Sequence, residues 1–257
     1  MRIILYIQYE GTGYRGWQVQ PEGITIQGLL QDCLYRLTGE KVKLAGAGRT
    51  DAGVHAIEQV ASFETSSRYP AEVIKRAVNA MLPDDIKIIR AETLEVPFHA
   101  RYSAVRKRYI YLIANETDLP VFLRRYVWWV KSPLDLDSMR KASRFIIGTH
   151  DFSSFRGAGC GAKSTVRTIY SLDLEEIERV PFIFTEFKCN LIKVSIEAEA
   201  FLRHMVRNIV GTLVEIGRGR FGYEEIQDIL SAKDRRRAGP TAPSQGLFLE
   251  RVIYSSD

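Results

Sequence analysis

The sequence predicts an α+β fold in two halves, and three observations carry that expectation. Strand-like and helix-like segments alternate along the whole chain, with no long linker or low-complexity stretch between them. Each half, divided near residue 100, mixes both kinds of segment. In the second half two long strand-like runs, 166–178 and 182–198, follow each other with no helix between, as an antiparallel pair would. The domain boundaries expected are 1–100 and 101–257, both α+β, although no detailed sequence repeat links them.

The elements follow from local pattern. Residues 2–9 (RIILYIQY) are apolar, β-branched and aromatic, which predicts a strand, and the Gly-rich polar stretch 10–26 predicts a loop. Thr25 can cap a helix over 27–37, where Leu29, Leu30, Cys33, Leu34 and Leu37 fall at helical spacing and Gly39 stops it. Residues 57–64 alternate as a strand, 71–81 read as a helix ended by Pro83, and 85–95 read as a strand. Beyond them come strands at 107–114 and 126–131 and a helix at 135–147, capped by Asp135 or Asp137 and followed by Gly148. The two long strands come next, then helices at 200–216 and 223–231, and a closing strand at 247–254.

Composition narrows the class. The 257 residues, 46% hydrophobic and 26% charged, describe a globular chain with a substantial core rather than a disordered one. No run approaches 18 apolar residues, so no membrane span is expected, and the apolar start turns polar too soon for a signal peptide. Cys33, Cys160 and Cys189 are odd in number and far apart, which indicates neither disulfides nor a zinc site and fits a reducing cytoplasm. The net charge of +5 is compatible with a polyanionic partner and equally with an ordinary basic surface.

One segment carries chemistry. GAGRTDAGVHA (46–56) has three glycines that let the backbone turn and approach a ligand closely, around one cation, Arg49, and one carboxylate, Asp51. A carboxylate displayed this way can be a nucleophile, a base or a metal ligand, or can simply bond its own turn. No second carboxylate lies in the segment, which argues against a local metal site, and the order of a phosphate-binding loop is absent.

The same segment resembles the signature loop of the TruA family of tRNA pseudouridine synthases, over eleven consecutive residues. YEGTGYRGWQVQ (9–20) resembles the family's YDGTxFxGxQxQ, with Glu10 where Asp is usual. HDFSSFR (150–156), HMVRNIVG (204–211) and TAPSQGLFL (241–249) follow in the family's order, so the resemblance runs from about residue 3 to 254. It implies two similar domains sharing a long, mainly antiparallel sheet flanked by helices, with an active-site cleft between them. It implies an isomerase, a tRNA pseudouridine synthase, acting on uridines 38, 39 and 40 of the anticodon stem-loop. It also implies a cytoplasmic RNA-binding homodimer whose partner is tRNA, with no cofactor, no metal and no membrane attachment.

Site roles follow from the same resemblance. Asp51 matches the essential aspartate, the catalytic nucleophile; whether such a group attacks C1′, adds to the base or takes a sugar proton stays open. Tyr109, in RKRYIY (106–111), matches an active-site tyrosine that stacks on the target base, although on periodicity alone it is as readily a core aromatic. Arg207 matches a basic residue paired with the aspartate, and its apolar surroundings argue likewise, since a buried arginine needs an anion. Arg203, four residues earlier, is expected on the same helix face. Arg49, two residues before Asp51 and on its side if the stretch is strand-like, is implied to contact RNA and help displace the nucleotide. For His55 a hydrogen bond that braces the loop is expected. A non-catalytic tRNA-binding protein and a nucleoside glycosidase are the competing readings; the three matched residues speak against the first, and an open basic cleft would speak against the second.

Overall fold

A computed structural model of the protein describes residues 1–183 and 185–255. It is α+β, and the chain divides into two compact units: residues 1–107 with 248–257, and residues 108–247. Among the described residues no helix is long and apolar enough to cross a membrane.

The first unit is built on β1 (Arg2–Tyr9), which has β3 (His55–Glu64) on one side and β4 (Ile86–Leu94) on the other, both antiparallel. The short β2 (Ala45–Gly46) pairs with β3, Ala45 opposite Ser62. The closing strand β10 (Leu247–Tyr254) returns to lie parallel to β3, Phe248 opposite His55. Alternation assigns the faces: Ile3, Leu5 and Ile7 of β1 are fully buried, while Arg2 and Tyr6 point the other way. The helices α1 (Ile26–Thr38) and α2 (Ala71–Asn79) bury Ile26, Leu30, Leu34, Ile74 and Val78. α1 has the ends the sequence announces: the Thr25 hydroxyl accepts from Gly28 N at 3.3 Å, and Gly39, at φ 75°, donates to Tyr35 O.

The second unit runs β5 (Ala104–Ala114), β9 (Thr185–Ala198), β8 (Val166–Phe182) and β7 (Gly148–Asp151), with β6 (Trp128–Trp129) parallel to β5. β8 and β9 form one long antiparallel hairpin in which Phe182 still pairs with Thr185. The turn therefore comes later than the sequence suggests: Pro181, between the two expected strands, sits at the end of the ladder opposite Glu186. Phe184, inside the expected strand 182–198, lies outside the described residues. Three helices belong to this unit: α3 (Leu136–Arg144), α4 (Met205–Gly217) and α5 (Glu225–Ala232). Asp135 caps α3 through Ser138 N at 3.1 Å.

α4 is almost wholly buried, as its composition predicts, but it begins at Met205 rather than near residue 200. Residues 202–205 form a turn closed by Met205 N on Leu202 O, and His204 stands at φ 60°. That break takes Arg203 off the helix: it is not on the face of Arg207, and its guanidinium donates to Ala158 O at 3.0 Å.

Candidate active site

In the first unit the segment 10–17 clasps the loop that carries Asp51. Trp17 N donates to Thr50 O at 3.1 Å and Gly53 N to Tyr14 O at 3.3 Å, so main chain holds main chain on both sides of Asp51. Val54 N donates to Asp51 O at 3.2 Å and closes the turn. The clasp is tight enough to demand glycine. A Cβ on Gly11 would stand 2.0 Å from Val54 O, and one on Gly16, at φ 91°, would stand 2.5 Å from Thr50 O. These contacts explain Gly11 and Gly16, which the sequence shows only as part of a loop signal.

Side chains brace the clasp from inside. The Tyr9 hydroxyl and the Thr50 hydroxyl bond at 2.8 Å, both buried, and burial pushes the Tyr9 phenol up to about 12. Gln59, fully buried, donates to Gly48 O at 2.8 Å and accepts from Gly48 N. His55 accepts from Gly11 N on Nδ1 at 3.0 Å and stacks on Phe248 at 4.7 Å. This is the bracing bond expected of it, and it joins the two signature segments. Glu10 lies 3.7 Å from the same nitrogen, but a nitrogen that accepts a proton from Gly11 is unprotonated, so the bond to Gly11 defines this ring. The outcome is a rigid loop with Asp51 half-buried and Arg49 exposed. The 49–51 stretch is not a strand, so the expectation that Arg49 and Asp51 project together by alternation does not hold.

In the second unit Tyr109 and Tyr111 share one face of β5, both buried. Tyr109 meets Phe201 edge-on at 5.1 Å and 86°. Tyr111 donates to Pro243 O at 2.7 Å, and burial raises its pKa while the positive charge of Arg207 works against that rise. Arg207 thus stands close to the strand face that carries Tyr109. Its guanidinium is aimed by Nε donating to Ala242 O at 2.7 Å, while Ala242 N donates to Arg207 O.

A buried polar network fixes that arrangement. Asn208, fully buried, donates to Phe155 O at 2.8 Å, and its Oδ1 accepts from Thr241 Oγ1 at 2.7 Å and from Arg235 at 3.0 Å. Arg235 also donates to Gly239 O at 2.8 Å and to Thr241 Oγ1 at 3.1 Å. Segment 238–243 is pressed so close to α4 that a Cβ on Gly211 would meet Pro240 O at 1.7 Å. Sequence reasoning singles out the motifs HMVRNIVG and TAPSQGLFL, and reads Lys233–Arg237 as a phosphate contact or a solvated face; it does not foresee that Arg235 turns inward onto Asn208 and Gly239.

The sequence-predicted site residues therefore fall into two groups: Asp51 and Arg49 on one loop of the first unit, Tyr109 and Arg207 on neighbouring elements of the second. A profile described as tRNA pseudouridine synthase matches residues 5–103 and 142–255. The chain is 46% identical over 252 residues to the tRNA pseudouridine synthase A of a Thermoanaerobacter species, covering 98% of this chain and 99% of that one. It is 42% identical to the protein of that name from Thermodesulfovibrio yellowstonii, over 99% and 100% of the two chains. To the one from Myxococcus xanthus it is 44% identical, over 98% and 92%.

Proposed function

The chain belongs to the tRNA pseudouridine synthase family, and from that premise we propose that it acts on uridines 38, 39 and 40 of the anticodon stem-loop with Asp51 as nucleophile. The chain is an isomerase that converts uridine to pseudouridine in tRNA. The N1–C1′ bond breaks, the base turns, and a C5–C1′ bond forms; C5 gives up a proton and N1 gains one. Nothing is oxidised or consumed, so carboxylate, phenol and guanidinium groups suffice. The base must leave its stack for the reacting atoms to be reached.

Each residue has one task in this reading. Asp51 supplies the nucleophilic oxygen. Tyr109 stacks on the extruded base and assists proton transfer at C5. Arg207 is the positive charge that this reading assigns to the catalytic carboxylate. Arg49, exposed beside Asp51, contacts the RNA strand and helps displace the nucleotide. The enzyme works in the cytoplasm as a homodimer.

The observation that carries the reading is the clasped, main-chain-held loop around Asp51, a construction that a simple surface turn does not need. The test is tritium release from tRNA labelled at uridine C5, with no added cofactor. Wild-type protein is expected to release the label, and Asp51→Ala to lower the rate by about four orders of magnitude or more. Full activity in Asp51→Ala would remove Asp51 from the chemistry. Pseudouridine mapping should find positions 38 to 40, and sedimentation should find twice the chain mass of 29.3 kDa.

A further inference from the structure

We propose that residues 99–107 form a separate nucleotide subsite, in which an RNA base stacks on Tyr102 and an RNA phosphate binds between Arg101 and Lys107. This rests on the reading of the chain as a tRNA enzyme and adds a contact that neither the signature loop nor the Arg207 network supplies.

The first observation is Tyr102 itself. The residue is 77% exposed, the most exposed tyrosine among the described residues. A large ring held out in water is usually mobile, but this one is mounted on a braced turn. His99 Nδ1 accepts from Arg101 N at 3.2 Å and from Tyr102 N at 3.4 Å. Ser103 N donates to His99 O at 2.9 Å, and Ser103 Oγ accepts from His99 N at 3.1 Å. Ala100 N donates to Ser62 Oγ at 3.0 Å, and the Tyr254 hydroxyl donates to Ala100 O at 2.8 Å, both buried bonds that tie the turn to the sheet. The His99 ring lies against the Tyr102 ring, centroids 4.4 Å apart. A ring fixed in advance and left uncovered is suited to stacking, because little conformational entropy is lost when a base lands on it.

The second observation is charge. Arg101 is exposed and lies 5.7 Å from the centre of the Tyr102 ring. Lys107, half-buried at the start of β5, feels that guanidinium: burial first and Arg101 second bring its pKa down to about 8. Arg101 in the turn and Lys107 on the strand it leads into, Ala104–Ala114, put two positive charges on one short segment, one of them partly desolvated, which is unfavourable without an anion. Neither has an anionic partner among the described residues. Phosphate is the anion an RNA strand brings, and it would relieve both the repulsion and the desolvation. The turn also borders a cavity of about 520 Å³ lined by Arg2, Lys43, Ser62, Phe98, His99 and Ser103, within the range of small-ligand sites. His99 is common to the cavity wall and the stacked pair. Aromatic ring, adjacent cations and concave wall together make the chemistry of a nucleotide contact.

The experiment measures affinity of the full-length protein for unmodified tRNA at several salt concentrations, with tritium release from the same tRNA alongside. Tyr102→Ala is expected to raise Kd about tenfold, and Tyr102→Phe to leave it near wild type, since stacking needs the ring and not the hydroxyl. The double variant Arg101→Gln, Lys107→Gln is expected to weaken binding and reduce the salt slope by about 2, one for each lost cation. If wild type neither binds nor modifies tRNA, the family-based reading fails. If wild type does both, and Tyr102→Ala and the double variant bind with wild-type affinity and slope, this subsite fails. If Tyr102→Phe loses as much as Tyr102→Ala, stacking is overturned.

Discussion

The two units hold their candidate chemistry in opposite ways. In the first, Asp51 is positioned by main chain against main chain, with glycine at the points of closest approach. In the second, Arg207 and the tyrosines of β5 are positioned by side chains, through Asn208, Thr241, Arg235 and the Ala242 carbonyl. The contrast follows from what each must present. A short carboxylate has little reach, so the backbone beneath it must be placed correctly. A long guanidinium has reach to spare, so its flexible stem must be tied. The first site should then fail when atoms are added at Gly11 or Gly16, and the second when atoms are removed from Arg207 or Arg235.

Short of the nucleophile itself, the largest effect on the Asp51 loop is expected at Gly11. In Gly11→Ala the new Cβ meets a main-chain oxygen, Val54 O, that cannot rotate away. We expect a loss of about 3 kcal/mol of stability and a fall of at least roughly 100-fold in turnover, because the loop carrying Asp51 must move. Gly13→Ala is the control, since nothing lies within 4 Å of its Cβ position. Equal turnover and melting temperature in the two variants would break the comparison at its stronger half.

Next comes Arg207. Arg207→Ala is expected to lower kcat by about 100-fold while changing tRNA affinity by only a few-fold, as for a group that acts on developing charge. A loss confined to affinity would make Arg207 an RNA contact and separate it from Asp51. Arg235 should follow with a smaller effect. Arg235→Ala leaves the buried Asn208 carbonyl with fewer donors and frees segment 238–243, so we expect about 2 kcal/mol of lost stability and a fall in kcat, with KM nearly constant. Arg235→Lys should recover only part of it, because an ammonium cannot reproduce the fork.

The contrast also explains what was legible in the sequence. Side-chain positioning leaves a trace: the apolar pattern of α4 showed that Arg207 would be partly buried. Main-chain positioning leaves only glycines, which look alike whether they turn a loop or admit a neighbour, so the function of Gly11 and Gly16 could not be read. The Thr25 and Gly39 ends of α1 were legible because capping is a local event. The start of α4 was not, because Leu202 is apolar and buried but belongs to a turn, and hydrophobic periodicity reads straight through it. Two-residue β2 and four-residue β7 are too short for any period to register. Asp51 itself stood out as chemistry only through the resemblance, since one acid among glycines is ordinary turn composition.

The smallest expected effect lies where the two modes meet, at His55, whose side chain bonds main chain. Its Nδ1 accepts a hydrogen bond from the Gly11 amide, and its ring, 2% exposed, stacks on Phe248. His55→Ala deletes one acceptor for a buried N–H and one stacked ring. That should cost about 1 to 2 kcal/mol and lower turnover several-fold, less than Gly11→Ala because the main-chain bonds on either side of Asp51 remain. His55→Asn places an amide oxygen near the Nδ1 position and should restore much of the turnover, though not the stacking. His55→Gln, whose amide reaches instead to the Nε2 position, should restore less. If Asn and Gln rescue equally, or if His55→Ala matches Asp51→Ala in lost activity, then His55 does more than brace the clasp, and main chain alone does not account for how the first unit holds its carboxylate.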